Sequence, residues 1–420
     1  MSESIADSVR KQAMVSKQAA RKLAAISGEV RAAALNEMAA SLQQSRAELI
    51  RANEADLADA RAAGLPAPMI KRLEISDKVF AQMQKRLLDV AALPDPVGQV
   101  LEGFTRPNGL RVTRVSVPLG VIGMIYESRP NVTTDAASVC LKAGNSVILR
   151  GGSESLRTNI VLADAMIAAS DRTGIPAGTL QIIRTADREA VRSLLQQEDL
   201  IDVLIPRGGK SLIQRVAEES RIPVIKHYEG ICHMYLAADA EEQSSVALAV
   251  NSKCQRVEVC NALETLLVDA ASAGRLLPAI KAAFEQAGVE LRGCPRTREI
   301  LPGIDSAADE DWETEYLAPI LSIRVVEGIA DAIEHINTFG SGHTDVIVTR
   351  DMRQAQTFVD QVDSGSVLVN ASTRLSGGGD YGMGAMIGIS TDKLHARGPV
   401  GPRELTSYKW IAYGDTHLRE

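Results

Sequence analysis

Hydrophobic and polar positions follow different periods in successive stretches of the chain. Up to about Pro94 the period is helical: Val30, Ala34, Met38 and Leu42 recur at every fourth position and make one apolar stripe. Gly64, followed by Pro66 and Pro68, stops one of these helices. The Ala-rich character of the region reads as helix packing. From Leu101 to Val117 the period shortens to two. LEGFTRPNGLRVTRVSV carries alternating Leu110, Val112, Val115 and Val117 behind Asn108-Gly109. That pair suits a type I′ turn, in which both central residues need φ > 0. A β-hairpin is expected. A lone hairpin is marginal in water, so it should add to another sheet, and an oligomer contact is one way to do so.

From Pro118 to about Lys226, short Val/Ile-rich runs alternate with helical stretches. The runs are GVIGMIY, SVILRG, TLQIIR, DVLIP and PVIKH; the helical stretches are Thr133–Ala143, Ser153–Thr173, Arg188–Gln196 and Lys210–Ala217. This βαβ pattern predicts a parallel sheet covered on both faces, with right-handed crossovers. A second series, TLLVD, VELRG, PILSIRVV, DVIVT and SVLVN, starts after Cys260. Two α/β halves are therefore expected, with Lys226–Cys260 between them and a ligand cleft where they meet. The glycine-rich Ser376–Gly388 reads either as a surface loop or as a loop bordering a site.

Composition narrows the class. Of 420 residues 45% are hydrophobic and 24% charged, which describes a globular protein and not a disordered one. A formal charge of -7 gives no electrostatic case for nucleic acid or an anionic membrane surface. No stretch approaches a membrane span, and the polar start MSESIADSVRKQ lacks a signal-peptide core. The five cysteines are odd in number, which favours reduced thiols and a cytoplasmic setting. Neither they nor the six histidines show metal-ligand spacing, so no metal is expected.

Three places suggest chemistry. IPRGGKS (Ile205–Ser211) lies between a strand and a helix and suits phosphate. LRGGSES (Leu149–Ser155) is another such turn, with Ser153 or Ser155 to cap the helix and Arg150 for an anionic ligand. NSKCQRVEVCNALETLLVD (Asn251–Asp269) places Cys260 after a polar tract, with Lys253 and Arg256 as cations that would lower its pKa. Cys140, mid-helix between Val139 and Leu141, reads as an inert core thiol, while Cys232 and Cys254 stay open.

Longer strings carry more. PLGVIGMIYESRPNVTTDAASVCLKAGNSVILRGG, CNALETLLV, SGHTDVIVT and VNASTRLSGGGDYGMGAMIGISTDKLHARGPVG resemble the aldehyde dehydrogenase superfamily, and within it the reductases of an acyl phosphate. The likeness runs over nearly the whole chain. It implies an α/β fold with a Rossmann-type cofactor domain (residues 1–100 and 118–230), a catalytic cysteine domain (231–390), and an oligomerisation arm with a C-terminal segment (101–117 and 391–420) containing the strand KWIAYG. It implies NADPH-dependent reduction of L-glutamyl 5-phosphate to L-glutamate 5-semialdehyde and phosphate through a thioester, the second step of proline biosynthesis. The alternative is an NAD(P)-dependent dehydrogenase of another small aldehyde or acyl phosphate.

The resemblance also implies roles. Cys260 matches the nucleophile. The family's oxyanion-donor Asn position falls on Glu127, so Asn131, ahead of Arg129, is expected to donate instead. His227 stands near the slot of the water-activating glutamate of aldehyde oxidisers, and Glu229 is displaced from it, which agrees with a reductase. In the cofactor turn Arg150 takes the place of a lysine and Ser153 that of a ribose-binding acid, beside Gly152; this favours NADP(H) over NAD(H). Ile205, Arg207, Gly208 and Gly209 match the loop that meets the cofactor, and Glu315 the acid that holds the nicotinamide ribose. Arg256, Asn370, Ser372, Thr373 and Arg374 are expected to receive the substrate. A homo-oligomer, dimer or tetramer, is implied, and a glutamate 5-kinase is a candidate partner.

Overall fold

The computed structural model describes residues 4–419. The chain forms two compact units. One comprises the chain up to Lys226 with Gly382–Gly388 and the stretch from Val400 onward; the other is His227–Tyr381 with Ile389–Pro399. The expected C-terminal segment is thus shared between them.

In the first unit the N-terminal stretch is helical, as its period requires: Ile5–Leu23, Gly28–Gln44, Arg46–Ala62, Ala67–Leu73 and Asp77–Ala92. Ser4, Ser27 and Ser76 accept backbone N–H bonds at three of the N-termini. Gly64, at φ +71°, follows the end of the third helix. Pro66 and Pro68 open the next helix instead of only ending the last, because a first helical turn has no N–H bond to lose.

The hairpin forms from β1 (Val100–Thr105) and β2 (Arg111–Pro118), and Thr406–Tyr413 adds antiparallel to β2. The turn differs from expectation. Gly109 has φ +91°, but Asn108 is not left-handed. Gly109 N–H bonds Arg106 O at 2.9 Å and Arg106 N–H bonds Leu110 O at 2.8 Å. Pro107, with its fixed φ, starts an ordinary turn there, and only Gly109 needs the left-handed region.

β3 (Val121–Tyr126), β4 (Ser146–Arg150), β5 (Leu180–Ile182) and β6 (Val203–Arg207) form a parallel sheet in the order β5-β4-β3-β6. Val121, Ile125, Ile148 and Leu204 pack with Val9, Ala13 and Ala20 of the first helix and with Ala190 and Leu194. PVIKH is not a full strand: it makes one bridge, Leu204 to Val224, because Pro223 offers a carbonyl but no N–H. The helices Asn131–Lys142, Leu156–Arg172, Arg188–Leu195 and Lys210–Glu219 sit where the pattern puts them.

The second unit is built on seven parallel strands: β7 (Cys232–Leu236), β8 (Leu263–Asp269), β9 (Glu290–Gly293), β10 (Asp305–Ser306), β11 (Ile320–Val326), β12 (Thr344–Val348) and β13 (Ser366–Val369). Their order is β10-β9-β11-β8-β7-β12-β13. Residues alternate between two covered faces. Met234, Leu236, Leu266 and Val268 meet Leu277, Ile280 and Phe284 on one side; Tyr235, Leu267 and Ile347 meet Ile333, Ile336 and Phe358 on the other. The α/β architecture is the expected one.

Candidate active site

Cys260 lies half-buried between the helix Glu242–Cys254 and β8. Its sulfur and one ring nitrogen each from His227 and His343 lie within 4.8 Å of one another. Histidines distant in sequence are thus assembled around the thiol, which chain spacing did not show. Burial opposes the thiolate, but the charge of His343 and hydrogen bonds from His227 and His343 outweigh it and pull the Cys260 thiol well below its ordinary value. Burial likewise opposes a charged His343, and the Cys260 thiolate raises it nonetheless. Burial pushes the thiols of Cys140, Cys232 and Cys254 up, so these three are unreactive by comparison.

The ring orientations are fixed by neighbours. His227 Nδ1 lies 3.0 Å from the Ile389 carbonyl, which only accepts, so Nδ1 carries the proton. His343 is wholly buried, and its Nδ1 lies 2.8 Å from Thr344 Oγ1, whose own proton goes to Ser376 Oγ. The backbone ahead of β7 touches Cys260 directly. A Cβ on Gly230 would lie 1.7 Å from the Cys260 carbonyl oxygen, and Cys232 Sγ–H donates to that oxygen at 3.3 Å.

Lys253 is not the cation beside the thiol. It is fully buried and pairs with Glu264 at 2.5 Å. Burial, offset in part by Lys253, pushes the Glu264 carboxyl up to about 7. Glu264 also accepts from Leu317 N–H, and Lys253 Nζ lies 5.8 Å from the Tyr316 ring centre. The pair therefore anchors the segment that carries Glu315, whose carboxylate accepts from Gly230 N–H at 3.0 Å. Burial raises Glu315, and the Cys260 charge raises it further.

The expected substrate residues divide. Arg374 donates to Gln255 at 3.0 Å and to Asn261 Oδ1. Burial lowers its pKa, Arg256 lowers it further and Cys260 raises it, so Arg374 is the cation that interacts with the thiol, with Arg256 near it. Asn370 does not fit the role: its amide bonds both the N–H and the carbonyl of Thr349, at φ +52°. Ser372 Oγ pairs with Ser252 at 3.1 Å and Thr373 N–H donates to the same serine; both residues are buried and brace this turn.

In the first unit, a cavity of about 470 Å³ opens at the carboxyl ends of β3 and β4 and the start of the Lys210–Glu219 helix. Ligands of open parallel sheets bind at this edge. Arg150, Gly152 and Ser153 line it. The Arg150 guanidinium, however, is engaged by the carbonyls of Gly151 and Ala186, both at 3.1 Å. The exposed cations at the rim are Arg188, Arg192 and Arg215, which the sequence reading missed although Arg188 opens a predicted helix. Ile205 is buried in the sheet, and Arg207 ends β6. A Cβ on Gly208 would meet the Glu127 carboxylate at 2.4 Å and the tip of Leu212 at 2.7 Å, both flexible ends that would have to shift. Gly209 N–H bonds Glu127 Oε2 at 3.1 Å. Neither Ser153 nor Ser155 caps its helix with a side-chain bond. Asn131 donates to Asp135 at 3.2 Å, an aspartate that also holds Arg86.

These features set a thiol beside two histidines in one unit and a cavity at the carboxyl edge of a parallel sheet in the other, and the comparisons place the chain in a family. The aldehyde dehydrogenase family profile matches residues 1–310 and 299–382. The crystal structure of gamma-glutamyl phosphate reductase from Thermotoga maritima is 40% identical, covering 98% of this chain and 100% of that one, with a TM-score of 0.95. The same-named protein from Saccharomyces cerevisiae is 29% identical over 98% and 99%, with a TM-score of 0.55. An acetylating aldehyde dehydrogenase from Geobacillus thermoglucosidasius, 19% identical over 99% and 98%, has a TM-score of 0.69 and shares the fold. The chain belongs to the aldehyde dehydrogenase family.

Proposed function

We propose that this chain reduces L-glutamyl 5-phosphate to L-glutamate 5-semialdehyde with NADPH, releasing phosphate, in proline biosynthesis. The observation that carries the reading is the Cys260 thiol held as thiolate by His343 and His227, in a chain so similar over its whole length to a gamma-glutamyl phosphate reductase.

The Cys260 thiolate attacks the γ-carbonyl carbon of the acyl phosphate. A C–S bond forms, the C–O bond to phosphate breaks, and phosphate leaves with the electron pair. Arg256 and Arg374 offset its charge. The backbone N–H of Cys260 would meet the oxyanion that develops at the acyl carbon. NADPH, when bound, supplies hydride to the thioester carbon. Cys260 then departs as thiolate, stabilised by His343, and the aldehyde is released. By the resemblance, His227 replaces the carboxylate base with which aldehyde oxidisers activate water, and its pairing with the Cys260 thiolate commits it to the thiol instead.

The residues present fit a phosphorylated dinucleotide. The 470 Å³ cavity carries Arg188, Arg192 and Arg215 at its rim, and these suit a 2′-phosphate better than the engaged Arg150. Gly152, Gly208 and Gly209 would admit the cofactor's backbone-facing groups, and Glu315 would hold the nicotinamide ribose. Phe104, Tyr408, Trp410 and Tyr413 are exposed on the three-stranded arm, which we assign to contact with a second copy. The five unpaired cysteines suit a cytoplasmic enzyme. Among the described residues no helix is long and apolar enough to cross a membrane.

The test runs the reaction backwards. Glutamate semialdehyde and NADP⁺ should give NADPH only when inorganic phosphate is present. Phosphate-independent oxidation would overturn the reading.

A further inference from the structure

The grouping of His227, Cys260 and His343 has a property that thiol chemistry does not use. One sulfur and two imidazoles make three donors of the kind that soft divalent cations select. A tetrahedral zinc centre, with Zn–S about 2.3 Å and Zn–N about 2.0 Å, places its ligand atoms roughly 3.5 Å apart. The three atoms here lie within 4.8 Å, so closing on a metal takes about an ångström of movement. Cys260 and His227 are only half-buried, and such a shift is open to them.

The surroundings match those of metal-binding imidazoles. A ligating histidine usually donates its other N–H to a carbonyl, a carboxylate or a hydroxyl, which fixes the tautomer. His227 donates Nδ1–H to the Ile389 carbonyl, and His343 Nδ1 is engaged by Thr344 Oγ1. Nε2 of each ring is thereby left to the thiol. In His343 that atom is fully buried, and the Cys260 thiolate is what favours a proton on it. A divalent cation would replace that proton, release it to solvent and take the nitrogen lone pair. The Glu315 carboxylate acts electrostatically on all three residues and favours a cation there, while Arg374 opposes it.

We infer that His227, Cys260 and His343 form a site for a soft divalent cation, Zn²⁺ foremost, which caps the Cys260 sulfur reversibly and leaves a fourth position for water. The cation binds the sulfur as thiolate and both imidazoles neutral, and no electron changes hands. The capped thiol neither attacks an acyl phosphate nor reacts with electrophiles. Removing the cation restores it. The site stands on these three side chains alone, so it holds whatever acyl substrate the enzyme takes.

The experiment uses the full-length protein, stripped with EDTA, without substrate or cofactor. Titration with CoCl₂ should give near-ultraviolet sulfur-to-cobalt absorption saturating at one metal per chain, and ZnCl₂ should displace it. Zinc should slow iodoacetamide alkylation of Cys260, mapped by mass spectrometry, more than tenfold, and EDTA should restore the rate. Cys260→Ser should abolish the absorption. His227→Ala, at a half-buried position, should weaken cobalt binding more than tenfold, and Cys232→Ala should leave it intact. Persistence of the absorption in Cys260→Ser, its loss in Cys232→Ala with Cys260 present, or unchanged alkylation of Cys260 under zinc would each overturn the inference. The phosphate-dependence assay tests the reductase reading separately, since none of these readouts involves turnover.

Discussion

Gly230 and Cys260 touch through their backbones. A Cβ built on Gly230 would stand 1.7 Å from the Cys260 carbonyl oxygen and 2.8 Å from its Cα. Gly230 is not in the left-handed region, so close approach alone demands glycine here. Gly230→Ala should cost stability toward the top of the ~1–3 kcal/mol typical of overpacking. It should also displace the nucleophile, lowering kcat far more than stability loss alone explains. Urea unfolding and single-turnover kinetics on the same preparation check both effects.

The thiol should titrate low. With its pKa depressed, Cys260 stays thiolate as pH falls through the range where an ordinary cysteine protonates, and loses reactivity only near its own lower value. In EDTA-containing buffers, the rate of inactivation by iodoacetamide should therefore stay nearly flat well below pH 8. His343 is buried and His227 half-buried, so His227→Ala is the safer probe. It should move the profile toward higher pH, and an unmoved profile would remove His227 from the ion pair.

Lys253 and Glu264, both inaccessible to solvent, should behave as a pair. Lys253→Met leaves a carboxylate buried without its cation and should cost about 3–5 kcal/mol. The double variant Lys253→Met/Glu264→Leu should recover most of that. Its residual defect should show in the KM for the cofactor, because the pair anchors the Glu315 segment. Chemical denaturation and steady-state kinetics of the three proteins decide this.

Cofactor choice should follow Arg188 and Arg192. Replacing both with Ala should raise the KM for NADPH at least tenfold and leave that for NADH nearly unchanged. Arg150→Lys should instead lower stability, because its two carbonyl contacts need a guanidinium fork. Equal effects on both dinucleotides would place the 2′-phosphate elsewhere.

Trp410, exposed on the arm and 6.4 Å from Phe104 between ring centres, should matter to association and not to the fold. Trp410→Asp should reduce the mass seen by light scattering while the far-ultraviolet circular dichroism stays the same.

Local patterns made the helical N-terminus, the hairpin and the βαβ runs legible, because each signal sits within a few residues. β7 escaped notice: CHMYL has no β-branched residue, so nothing marks it as a strand until it pairs with β8 and β12. The same pairing explains the missed histidine. His343 precedes β12 and reaches Cys260 only because β12 lies next to β7 in the sheet. Cys260 itself was readable from the family string around it. Lys253 was misread because nearness in sequence placed it by the thiol, whereas its helix turns it toward Glu264. Asn370 and Arg150 have side chains suited to ligands, and only the structure reveals that backbone groups already occupy them.

The arm sheet has a consequence for synthesis. β2 gains its outer partner from Thr406–Tyr413, a pairing between strands separated by nearly three-quarters of the chain. Translation must pass Tyr413 before that ladder can zip, so the nascent polypeptide carries an open β edge throughout elongation. A ribosome stalled before that point would present a template for aggregation, and Thr406–Tyr413 is the strand that covers the open edge of β2.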